Sequence, residues 1–129
     1  MTPLYLNTLL AVGIGGFLGA VCRVYLNHIV TQSIVSQFPY GILLINILGS
    51  FLIGVAFAIF LNFNISSTLK AFIASGFLGA LTTYSTFAIE SFLLLQTAFW
   101  LGVSNMFFNL FGSVAAAALG YKLILMILK

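Results

Sequence analysis

Four long apolar stretches, residues 4–28, 40–62, 70–95 and 98–127, take up nearly all of this 129-residue chain, and they dictate what it can become. A bilayer hydrocarbon core about 30 Å thick is crossed by roughly 20 helical residues at ~1.5 Å rise each. Each stretch therefore suffices for one span, and what remains is too short for a soluble domain. Charged residues make up 4% of the sequence against 63% hydrophobic, a balance that no water-facing domain of this size sustains. Because hydrocarbon cannot satisfy open backbone groups, the sequence predicts an all-α integral membrane protein. It is expected to be one four-span domain over residues 1–129, multi-pass in the cell membrane.

The joins are short. "NHIVTQSIVSQFPYG" links the first two spans, with Pro39 suited to a helix start, and "NFNISST" links the next two through turn-forming and capping residues. "LLQTAFWLG" leaves room only for a tight turn. The first stretch lacks a basic leader and a small-residue cleavage pattern, and Arg23 lies inside it, so it reads as a retained span. Four spans put both ends on one side, with Lys70, Lys122 and Lys129 there and Arg23 and His28 toward the other. This weak bias favours a cytoplasmic N-terminus, yet so few charges also suit a chain inserted both ways. The net charge of +3 is a matter of topology; without a basic patch it gives no footprint for nucleic acid. Cys22 is the only cysteine, which excludes an intrachain disulfide, and His28 is the only histidine, which suits an interfacial side chain better than a metal ligand. Without a base, a nucleophile–base pair or a metal cluster, the chain is expected not to be an enzyme.

Polar residues inside the spans carry the functional information, since each must face another helix or water. Asn46 and Ser50, then Gly54, form one stripe on the second span; Asn105, Asn109 and Ser113 repeat at the same interval on the fourth. Such stripes serve either as interhelical glue or as a permeation track of donors without fixed charge. Gly15 and Gly19 on the first span, and Gly112, Ala116 and Gly120 on the fourth, form small-residue ridges for close packing or dimerisation.

The third span breaks the apolar pattern at "GALTTYSTFAIE". Gly76 and Gly79, followed by Thr82, Thr83, Ser85 and Thr86, join low helix propensity to hydroxyls that compete for backbone hydrogen bonds near the middle of the span. The result is either a broken helix exposing backbone groups, as transporters and channels use, or a kinked helix packed by hydroxyls. Tyr84 and Phe87, at i and i+3, point the same way if the helix resumes there, and aromatic ring edges are electropositive.

Taken together, "GGFLGAVCR", "FPYGILLINILGSFLIG", "GFLGALTTYSTFAIE" and the fourth-span ladder resemble the Fluc-type (CrcB-like) fluoride channels over essentially the whole chain. The resemblance implies a passive, fluoride-selective channel releasing cytoplasmic fluoride down its gradient. It implies an antiparallel dimer of four-helix subunits, with two pores and a structural sodium ion at its centre. Position by position, Asn46 matches the second-span pore asparagine, and Tyr84 and Phe87 match paired phenylalanines whose edges face fluoride. Asn109 and Ser113 occupy the fourth-span track, with Thr83, Ser85 and Thr86 serving the pore or its packing. Gly79 and Thr82 match positions whose backbone carbonyls hold sodium, and Arg23 and Glu90 match charges toward the pore ends. The physics agrees: fluoride must trade its water for donors, while a fixed cation would hold it too tightly.

This chain departs from the family pattern at Ile42, where a threonine is usual, at Tyr84 in place of the first phenylalanine, and at Asn105 and Asn109 in the track. These departures bear on conduction, and they are also compatible with a heterodimer containing a second homologous subunit in place of the homodimer. A small proton-coupled multidrug exporter is the competing class, but it needs a midplane acid, and the sole acid, Glu90, lies past the centre of its span. A purely structural assembly subunit would leave the polar ladders without purpose.

Overall fold

The structure, a computed structural model, describes residues 5–129; Leu4, where the first stretch begins, lies outside the described residues. Four helices are long and apolar enough to cross a membrane: Leu6–Ser33, Tyr40–Asn62, Ser67–Thr97 and Phe99–Ile127. The first runs on to Ser33, past residue 28, because "IVTQS" contains no glycine or proline to end it. Pro39 then caps the second helix, and Ser66 caps the third by accepting a hydrogen bond from the Leu69 N–H at 3.3 Å. Ala98 is the whole link between the third and fourth helices, outside the helical region at φ −145° and ψ 75°. So tight a return requires close approach behind it, which Gly102 allows by packing directly on Leu95.

Two helix pairs make the bundle, and glycine makes both. Gly19 of the first helix faces the Phe77 carbonyl of the third, and Gly120 of the fourth faces the Phe51 carbonyl of the second. At each position a Cβ would overlap a backbone oxygen. The small-residue ridges are thus used for packing between helices of one chain. Between the pairs, Ile45, Ala56, Leu78 and Leu81 form the buried core. Large apolar side chains such as Leu10, Phe17, Val24 and Trp100 are exposed around the outside, as the hydrocarbon of a bilayer requires.

The third helix is not continuous. After a wide π-helical stretch, Ala71–Leu78, and one last α-helical turn, Gly79–Leu81, Thr82 and Thr83 are extended at φ −77°, ψ 156° and φ −148°, ψ 116°. Helix resumes at Tyr84, with the Thr83 hydroxyl accepting from the Thr86 N–H at 3.3 Å. Of the two outcomes open to the TTYSTF segment, the chain adopts the break. A second π-helical stretch, Phe108–Gly112, interrupts the fourth helix at the level of Asn109. Both wide stretches adjoin the break, where such turns frequently mark function.

Candidate functional site

A helix broken in mid-membrane strands backbone groups that hydrocarbon cannot satisfy. At this break one side chain of the second helix answers two of them. Asn46 accepts the Thr83 N–H on its Oδ1 at 2.8 Å and donates its Nδ2 to the Thr83 carbonyl at 3.1 Å. Because the Thr83 N–H can only donate, it settles which amide atom of Asn46 faces it, and the orientation propagates. Asn46 Nδ2 also donates to Asn109 Oδ1 at 2.9 Å, so Asn109 presents its Nδ2 to Asn105, reaching Oδ1 at 2.9 Å and the carbonyl at 3.1 Å. Asn105 in turn donates Nδ2 to Ser91 Oγ at 2.9 Å. Asn46, Thr83, Ser91, Asn105 and Asn109 are all buried. Both amide hydrogens of Asn46, and both of Asn109, are engaged within the protein.

On the other side of the break, the last carbonyls of the preceding helix turn lack helical partners, as helix ends must. Among the described residues no hydrogen bond reaches the Gly79 carbonyl, and the Thr82 carbonyl accepts only from Arg23, whose Nη1 lies at 3.4 Å. Arg23 follows Gly19 by one turn, so the close approach of that glycine carries the guanidinium to the break. Thr82 returns its own hydroxyl to the Leu78 carbonyl at 3.1 Å.

A cavity of about 620 Å³ opens beside the break. Asn46, Gly79, Thr82, Thr83, Tyr84, Phe87, Asn109 and Ser113, singled out in the sequence, line it together. Thr86 stands behind that wall, accepting from the Thr83 hydroxyl at 3.0 Å. Glu90 lies two turns beyond the break, with Oε2 buried and without a hydrogen-bond partner. The Tyr84 and Phe87 rings meet edge-on, centroids 5.3 Å apart and planes at 70°. Tyr84 is 81% exposed in the single chain.

The structure adds Ser50 to the cavity, like Ser113 in chemistry and unlike the asparagines in availability. Among the described residues neither hydroxyl has a hydrogen-bond partner, so both remain free to meet a ligand. The signal for Ser50 was present, one turn after Asn46. Ser91 had no such signal, because a lone serine on an apolar helix gives no hint of the asparagine it meets.

An uncharged, largely apolar cavity with hydroxyls and two aromatic rings in its lining, beside a break that leaves the Gly79 carbonyl open, defines a small multi-pass membrane protein built to pass ions. Residues 10–121 match the family model described as CrcB-like protein, Camphor Resistance (CrcB), and the chain belongs to that family. A relative from Sulfurimonas denitrificans is 46% identical over 125 residues, covering 95% of this chain and 97% of its own length. One from Campylobacter jejuni is 44% identical over 117 residues, 90% of this chain and 96% of its own. One from Shewanella baltica is 46% identical over 120 residues, 92% of this chain and 97% of its own. Each of the three is named a fluoride-specific ion channel FluC, which is not a class of enzyme.

Proposed function

We propose that this protein is a passive fluoride-selective channel that lets cytoplasmic fluoride leave down its gradient. The observation carrying this reading is the uncharged cavity at the break, in a chain whose full-length relatives bear the name fluoride-specific channel. A small, strongly hydrated anion needs donors to replace its water and no fixed cation to trap it. The free hydroxyls of Ser50 and Ser113 and the edges of Tyr84 and Phe87 offer that combination. Purified protein in liposomes, followed with a fluoride and a chloride electrode, tests it: fluoride efflux without a proton gradient and with chloride retained is expected. Equal loss of both anions, or dependence on an imposed proton gradient, would end the channel reading.

The working unit is a dimer of antiparallel subunits enclosing two pores. Supporting it, the cavity and the exposed Tyr84 lie open in the single chain, and hydrocarbon is a poor cover for the hydroxyls of Ser50, Thr82 and Ser113 in its wall. A second copy of this chain is the partner, with a homologous subunit as the alternative. Sodium is the cation proposed at the break: the Gly79 carbonyl accepts no hydrogen bond among the described residues, and the Thr82 carbonyl would exchange its long 3.4 Å contact with Arg23 for the ion, both being the hard neutral oxygens that cation takes. The backbone oxygens of Gly79 and Thr82 would hold the ion, which would supply positive charge at the dimer centre. Prolonged dialysis into a large organic cation is expected to cut fluoride efflux and loosen the dimer on gel filtration, with sodium restoring both. Full activity in rigorously sodium-free buffer would remove the ion from the site.

The aromatic pair gives a finer test. Tyr84→Phe keeps the ring edge and is expected to conduct within about threefold of the parent, the scale of one lost hydrogen bond. Phe87→Ile puts an aliphatic surface against a partly dehydrated anion and is expected to lose about tenfold or more in efflux while still assembling. Parental flux in Phe87→Ile would exclude the ring edge from the pathway.

A further inference from the structure

The hydrogen-bonded relay closes on the helix from which it starts. It begins at Thr83, crosses to Asn46 on the second helix and Asn109 and Asn105 on the fourth, and returns to the third helix at Ser91. Between Thr83 and Ser91 lie two turns, about 12 Å of helix, and these carry Tyr84 and Phe87. The lower end is held by the two bonds of Asn46 to Thr83, and the upper end by the one bond of Asn105 to Ser91. Asn105 is fully buried, Ser91 nearly so, and neither lines the cavity.

We propose that Asn105 and Ser91 are positioning residues: through Asn109 and Asn46 they clamp the stretch Thr83–Ser91 at both ends and fix the aim of the Tyr84–Phe87 pair into the cavity. Neither residue touches the permeating ion. Each acts on the direction of the helix that presents the rings, and Asn105 also holds Asn109 with its oxygen turned to Asn46. This inference rests on the channel reading for its consequence in flux, while the clamp itself has a readout of its own.

The test is amide hydrogen exchange over residues 83–91, measured beside fluoride and chloride efflux, for full-length Asn105→Leu, Ser91→Ala and the swap Ser91→Asn with Asn105→Ser. Asn105→Leu keeps the branched shape, with a larger volume, and deletes two side-chain hydrogen bonds. At roughly threefold per bond in a membrane interior, exchange over 83–91 is expected to rise about tenfold, with that of the first helix unchanged. Ser91→Ala deletes one bond and is expected to give about threefold, which keeps the test alive should Asn105→Leu fail to assemble. Efflux is expected to fall in the same order and chloride discrimination to weaken, and the swap, which rebuilds a polar pair, is expected to recover both. Unchanged exchange over 83–91 in Asn105→Leu and Ser91→Ala would overturn the clamp. Raised exchange with parental flux and selectivity would overturn its positioning role. Absence of fluoride flux in the parent would instead strike the channel reading, and the exchange data would still decide the clamp.

Discussion

Asn46→Leu is expected to abolish measurable fluoride efflux, the largest loss from any single side chain at the break. Leucine keeps the branched shape of asparagine, with a somewhat larger volume, but removes the partner of the Thr83 N–H, the partner of the Thr83 carbonyl and the donor to Asn109 Oδ1 together. A buried backbone group left unpaired costs about 1–3 kcal/mol, so two of them outweigh anything the extended conformation gains. The segment is then driven back to continuous helix, which buries the carbonyls of Gly79 and its neighbours and swings Tyr84 and Phe87 off the cavity. Efflux from liposomes, with gel filtration to monitor assembly, checks this. Parental flux would mean that the break stands without Asn46.

Gly120→Leu is expected to prevent folding outright, since even a Cβ there would overlap the Phe51 carbonyl, a backbone atom that cannot swing aside. Overpacking a well-filled interior typically costs about 1–3 kcal/mol, and a whole isobutyl group driven between two helix backbones exceeds that range. Gly19→Leu, against the Phe77 carbonyl, is expected to do the same to the other helix pair. Gly13→Leu is the control, because nothing lies within 4 Å of a Cβ at that position. The readout is the yield of monodisperse protein in detergent: near zero for the first two variants and parental for the third. Monodisperse, active Gly120→Leu would show that the second and fourth helices have room to part.

The spans, and the place where the third departs from regular helix, were legible in the sequence because a bilayer leaves the chain few choices; whether that place would break or kink was open. A run the length of the hydrocarbon core must be a helix, and "TTYST" in its middle brings hydroxyls that compete for backbone hydrogen bonds. Partnership between helices was not legible. Asn46 and Asn109 read as either glue or track on separate stripes, and the structure has them bonded to one another and to the break, an outcome set by how glycines pair the helices. The same applies to Arg23, whose reach to the Thr82 carbonyl depends on the approach of Gly19 to a different helix. Spacing along one helix reports a face; it does not report what that face will meet.

The break at Thr82 and Thr83 owes its stability to a side chain from another helix, and this has a consequence for the order of biogenesis. When the third hydrophobic segment enters the bilayer, the fourth has not yet docked, so Asn109 is not in place and Asn46 has no packed partner to aim it. At that moment the segment meets its backbone needs most fully as an unbroken helix. Opening of that helix then waits for the fourth helix to dock, and the ion pathway is completed last, after insertion. The newly inserted chain would be sealed to ions until assembly, and continuous helical protection across residues 82–83 in Asn46→Leu is the trace that such an intermediate should leave.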